Sequence, residues 1–137
     1  MFTISAKGIY GLTALTELAA RYRHGTMQIR DIAEMHNIPQ HYLEQILVVL
    51  KKGGLVESQR GSQGGYRLAR SPSAIVVIDA MTLLEGKLEI VSDPRKQKHL
   101  DFFWSGLDRA IRDHLEVTLE DLLLARQQRD HQFVYTI

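Results

Sequence analysis

Two segments with helical periodicity, "MQIRDIAEMHNI" and "PQHYLEQILVVLKKGGL", follow one another with only a few residues between them. Ile29, Ile32 and Ala33 share one face of the first; Tyr42, Leu43, Ile46, Leu47 and Leu50 share one face of the second. The first segment stops at Asn37, Pro39 suits the first turn of the next helix, and Gly53-Gly54 supplies its end. So short a connection makes the two helices cross at a steep angle. That geometry is a helix-turn-helix.

The flanking sequence extends it. Residues 4 to 22 place Ile4, Ile9, Leu12, Leu15, Leu18 and Ala19 near helical spacing despite Gly8 and Gly11, with Ser5 as a candidate N-cap and Gly25 after the end. Beyond Gly54, Leu55 to Ser58 and Tyr66 to Leu68 read as short strands joined across the glycine-rich "QRGSQGG". "RSPS" is a turn, Ile75 to Val77 a short extended segment, and "IDAMTLLEG" a helix ending at Gly86. The expected fold is mainly α with a small β wing: a winged helix-turn-helix domain over residues 1–86.

Residues 87–137 change character and are expected to hold a connecting loop, a dimerisation helix and a C-terminal tail. "KLEIVSDPRKQKH" is a charged connection, and the helix that follows sets Phe103, Leu107, Ile111 and Leu115 on one stripe. Thr118 and Asp121 form a capping-box-like start to a further helix, and "QFVYTI" reads as a short strand or an arm. An apolar stripe appended to an already closed domain needs a partner, and the simplest partner is a second copy.

The glycine-rich hairpin is basic. Residues 1 to 72 carry nine Lys/Arg against five Asp/Glu, whereas residues 73 to 137 carry eight against eleven, so the positive charge lies in the half with the hairpin. As a wing, Arg60 would reach a DNA groove, the amides of Gly61, Gly64 and Gly65 would approach phosphates, and Gln63 would add a polar contact. A nucleotide-phosphate loop is disfavoured, because the finger joins strand to strand and lacks the Gly-Lys-Ser/Thr ending.

The start of the third helix presents Gln40, His41, Glu44 and Gln45, where a recognition helix meets base edges. Gln can pair with adenine in two hydrogen bonds, and Glu can accept from cytosine N4. Lys7, Lys51, Lys52 and Arg67 are candidate phosphate contacts, and Tyr42 belongs to the candidate DNA-binding set as well, though packing inward or against the hairpin is favoured over stacking on a base.

Other chemistries lack their residues. The sequence has no cysteine, which removes disulfides, thiolate metal sites and cysteine nucleophiles. Its six histidines stand singly, outside any metal-binding pair spacing, and suit surface or capping roles. No nucleophile elbow or carboxylate pair in a cleft suggests an enzyme, and Asp108, Asp113 and Glu116 read as the solvent face of the long helix. No apolar run approaches the roughly 18 to 20 residues that span a bilayer, and the N-terminus lacks a secretory pattern, so the expected location is cytoplasmic.

"SAKGIYGLTALTELA", "IRDIAEMHNIPQHYLEQILVVLKKGGLVESQRGSQGGYRLAR" and "VIDAMTLLEG" together resemble the IscR/CymR/NsrR-type family of bacterial winged-helix transcription regulators over about residues 3 to 86. The resemblance implies a homodimer crossed through its long C-terminal helix and bound to a partly palindromic double-stranded operator. It also puts the recognition face on Gln40, His41 and Glu44 and the minor-groove arginine on Arg60. Pro39 and His41 depart from the serines common in the family, which affects operator sequence rather than DNA binding.

Many members hold an iron-sulfur cluster with three cysteines between the fourth helix and the dimer helix; here "KLEIVSDPRKQKHLD" occupies that place. Asp93, His99 and Asp101 are the nearest ligand types in it and read as a solvated loop. The chain therefore resembles the clusterless, CymR-like branch, which implies no cofactor and a repressor of sulfur, cysteine or related metabolism acting with a protein partner or small effector. The alternative reading is a winged-helix module that docks a metabolic enzyme without binding DNA.

Overall fold

A computed structural model of the chain describes residues 3–93 and 98–136. Helix α1 (Ala6–Ala20) is followed by α2 (Ile29–His36) and α3 (Gln40–Lys52), then by strands β1 (Val56–Gln59) and β2 (Gly65–Leu68). A 3-10 turn (Pro72–Ala74) leads to α4 (Val77–Glu85), α5 (Asp101–Leu115) and α6 (Leu119–Thr136). The strands form one antiparallel pair, with Val56 opposite Leu68 and Gln59 opposite Gly65. This is the expected helix-turn-helix with a hairpin wing.

The short α2–α3 turn has a local cause. Asn37 takes the left-handed conformation at φ 53°, which asparagine tolerates better than most residues, and the Ile38 amide donates back to the Ala33 carbonyl. Pro39 occupies the N-cap of α3 rather than its first turn, one position earlier than the sequence reading placed it. Ile32, Ile38, Leu43, Ile46, Leu47 and Leu50 then meet Leu15 and Leu18 of α1 in a core that extends to Leu55, Val56 and Leu68 at the base of the wing.

The interior glycines of α1 have a packing role. A Cβ on Gly11 would come within 2.5 Å of the Leu84 side chain, and one on Gly8 within 2.3 Å of Glu85 Oε1. Glycine at both sites lets α4 lie close against α1. Ser5 holds the N-cap position but makes no side-chain bond to its own helix. Instead Glu85 Oε1 accepts from the Ser5 amide (3.0 Å), the Ser5 hydroxyl (2.6 Å) and the Gly8 amide (3.1 Å). A carboxylate from α4 thus caps α1, satisfying amides that a helix start leaves unpaired and placing negative charge at the positive end of the dipole. Glu85→Ala is expected to lower unfolding free energy by about 1–2 kcal/mol in urea titration; an unchanged midpoint would show that water replaces the cap at no cost.

The C-terminal region returns to this core. The Val77 amide donates to the Val117 carbonyl (2.7 Å) and the Leu119 amide to the Ile75 carbonyl (3.0 Å), which puts Leu119 at 0% exposure among the core residues. The capping box forms as expected: the Thr118 amide donates to Asp121 Oδ2 (2.9 Å) and the Asp121 amide to Thr118 Oγ1 (3.1 Å). Glu17, buried in α1, bonds His36 Nε2 of α2 at 2.9 Å and lies 4.0 Å from Arg126 of α6. The tail differs from the strand or arm expected for it, because α6 continues as helix through Thr136; Ile137 lies outside the described residues. Residues 94–97 of the expected charged connection also lie outside them.

Helix α5 contributes no fully buried residue. Leu100, Phe102, Phe103 and Leu107 are exposed, with Phe102 72% accessible, whereas Ile111 and Leu115 are half-buried and Leu115 rests on the chain's own core. The expected stripe is therefore open toward the start of α5 and closed toward its end. Arg112 anchors the helix, bonding Asp108 at 2.8 Å and the Leu88 carbonyl at 2.7 Å.

Candidate nucleic-acid interface

The N-terminus of α3, the N-terminus of α2 and the hairpin enclose an open cleft of about 430 Å³. Its walls bring Gln40 together with Arg60, Gly61 and Gly64 from the expected set, and with Gln28, Arg30 and Gln59, which the sequence reading missed. The signal for Arg30 was available: a cation in the first turn of a helix faces the positive end of the dipole, so an arginine there suits an external anion better than its own helix. Arg30 is largely exposed and only 4.0 Å from Asp31, too loose a pair to hold it.

Along α3, His41, Glu44 and Gln45 are exposed on the face continuing from Gln40. His41 and Gln45 interact through their side-chain nitrogens at 3.4 Å, one turn apart. Val48, 45% exposed, adds an apolar group near the same face, suited to contact with a thymine methyl. Of the two roles open to Tyr42, the structure shows packing: its ring lies partly buried against the core and meets the Tyr10 ring edge to face at 5.8 Å, which turns it away from the candidate DNA-binding face.

The cations divide into held and unheld. Arg67 is bonded to Glu57, its cross-strand partner, at 2.6 Å, and Lys51 donates to the Ser58 hydroxyl at 2.6 Å. Pairing with Glu57 offsets much of the Arg67 charge that a phosphate would otherwise meet. Lys52 and Arg60 are exposed. Lys7 is half-buried in the first turn of α1 and does not line the cleft.

Within the wing, Gly61 has φ 102° and Gly65 φ 141°, values that favour glycine. The buried Gly64 donates its amide to the Gly61 carbonyl at 2.9 Å, so that amide closes the turn instead of facing outward. Gln63 is exposed, and its carbonyl accepts from Thr26. The result is a hydrogen-bonded loop beside an exposed polar helix start, with two arginines at its margins. Such a surface can place cations on a phosphate backbone and amide side chains on base edges.

Residues 4–125 match the family described as "Rrf2: Iron-dependent Transcriptional regulator". The chain is 40% identical over 123 residues to the HTH-type transcriptional regulator CymR of Bacillus subtilis (strain 168), covering 87% of this chain and 88% of that protein. The solved structure of CymR (YrzC), the global cysteine regulator of B. subtilis, aligns with TM-score 0.77 and 37% identity over 91% of this chain and 98% of that one. The structure of T. potens IscR aligns with TM-score 0.78 and 37% identity over 93% and 90% of the two chains.

The word iron in that description sets a test for the donor atoms. With no cysteine in the sequence, an iron-sulfur cluster would have only His, Asp and Glu to hold it, and no three such residues converge on a metal position among the described residues. These residues do not fit such a cluster.

Proposed function

The chain belongs to the Rrf2 family of transcriptional regulators, and from that premise we propose that it is a homodimeric repressor that binds a partly palindromic operator without an iron-sulfur cluster. The observation that carries this reading is the cleft joining Gln40 of α3 to Arg30 and Arg60. Residues 1–86 supply the DNA-reading part and residues 87–137 the pairing part, the two sharing one core through Leu119. The open end of α5, with Phe102, Phe103 and Leu107, supports pairing with a second copy.

Two recognition helices in such a dimer would enter major grooves about one helical turn apart. Gln40, His41, Glu44 and Gln45 meet base edges; Lys52 and Arg30 serve the phosphates, Lys7 one outside the cleft, and Lys51 and Arg67 do so by exchanging Ser58 and Glu57 for a phosphate; Arg60 with Gly61 and Gln63 lies along the neighbouring groove. A regulator working on bacterial DNA acts in the cytoplasm, and among the described residues no helix is long and apolar enough to cross a membrane. Likeness to a global cysteine regulator supports sulfur or cysteine metabolism as the target, with a small effector or protein partner as the signal.

The test is selection of genomic fragments by the purified protein, with sequencing of the bound pool at two salt concentrations. A palindromic motif is expected, with affinity falling about 10³-fold between 50 and 200 mM salt if roughly six phosphates are engaged. Sequence-blind binding at both concentrations would overturn the reading.

A further inference from the structure

The wing is attached to the helix-turn-helix at a second place besides its own strands. Met27, just before α2, pairs with Tyr66 in both directions: the Met27 amide donates to the Tyr66 carbonyl at 2.8 Å and the Tyr66 amide to the Met27 carbonyl at 2.7 Å. Between these strands a Cβ on Gly65 would come within 2.4 Å of the Met27 carbonyl oxygen, so the residue there must be glycine for the two backbones to meet. One residue earlier, the half-buried Thr26 directs its hydroxyl to two carbonyls of the wing loop, Gln63 at 2.9 Å and Gly64 at 3.0 Å.

Those carbonyls lie on the returning limb of a loop whose outgoing limb begins with Arg60, and the Gly64–Gly61 bond ties the two limbs together. Fixing the returning limb therefore fixes the origin of the Arg60 side chain. The hydroxyl is, among the described residues, the side-chain tether that holds the returning limb of a loop with glycines at 61, 64 and 65 to the segment before α2.

We propose that Thr26 is a positioning residue for DNA recognition, its hydroxyl clamping the wing so that Arg60 is pre-aimed at the groove. This rests on the wing reading above. Pre-aiming improves affinity by removing the ordering cost that a free loop would incur on binding. The hydroxyl hydrogen is shared between two acceptors from one donor, so valine, similar in shape, deletes the clamp while keeping the bulk.

The experiment measures affinity for a duplex recovered in the genomic selection, using full-length wild type, Thr26→Val, Thr26→Ser, Arg60→Ala and the Thr26→Val/Arg60→Ala double variant. Thr26→Val is expected to weaken binding about tenfold and Thr26→Ser to restore it, with Thr26→Val adding nothing in the Arg60→Ala background. Should the valine variant fail to fold by circular dichroism, Thr26→Ala takes its place. Near-wild-type binding by the hydroxyl-deleted variant, equal weakness of serine and valine, or a full additional loss in the Arg60→Ala background would each overturn the clamp. If Arg60→Ala binds as tightly as wild type, the wing reading itself fails, visibly and without reference to Thr26, and the clamp falls with it.

Discussion

Leu107→Asp combined with Ile111→Asp is expected to yield a folded monomer that binds its operator on the order of 100-fold more weakly or worse. Leu107 is exposed and Ile111 half-buried on a helix that gives no fully buried residue to the core, so the winged helix does not depend on them. In a dimer the same stripe is desolvated, and two carboxylates from each copy would face apolar surface without partners, a cost of several kcal/mol. A monomer reads one half-site and forfeits the effective concentration that tethers the second reading head. Sedimentation velocity checks the assembly state and circular dichroism the fold. A dimer that survives both substitutions would take Leu107 and Ile111 out of the pairing surface, with the exposed Leu100, Phe102 and Phe103 at the start of α5 the next residues to change.

Arg60→Ala should weaken specific binding by about 1–3 kcal/mol, roughly five- to 150-fold, and reduce the salt dependence by about one counterion per subunit. The argument is geometric. Arg67 and Lys51, the neighbouring wing-side cations, are bonded to Glu57 and Ser58, whereas Arg60 stands exposed at the margin of the cleft that also holds Gln40. Because its side chain is on the surface, dimerisation and thermal stability should be unchanged. Undiminished affinity would remove Arg60 from the interface and shift the electrostatic role to Arg30.

These two variants separate assembly from recognition. On the proposed reading, the first would leave the reading surface intact and remove the second copy of it, and the second would leave the proposed dimer and remove one contact from each copy. Between them lies a route for regulation: if the dimer helix sets the spacing of the reading heads, a signal that shifts it changes operator affinity with no change at any DNA contact.

Much of this surface was legible in the amino-acid sequence because the relevant signals are local. The few residues from Asn37 to Pro39 set the tight turn between two helices, the glycines between Gly61 and Gly65 marked the hairpin, and Thr118 with Asp121 announced the start of the last helix. The tail was not legible: a short apolar run has no periodicity that separates strand from helix, and only its continuity with α6 decides it. Likewise Leu115 sits at a regular interval on the α5 stripe, yet it packs on the chain's own core, because where a stripe is covered depends on what lies opposite.

The helix-turn-helix, the basic glycine-hinged wing, the apolar spacing along α5 and the lack of thiolate ligands could all be read from the chain alone, since each follows from spacing or composition within a short stretch. Only the folded chain reveals that Glu85 caps α1 from 80 residues away, that the Thr26 hydroxyl bonds the wing loop across 37, that Leu119 completes the core, and that Gln28 and Arg30 join Gln40 and Arg60 in one cleft. Those assignments depend on distance in space, which separation along the chain does not encode.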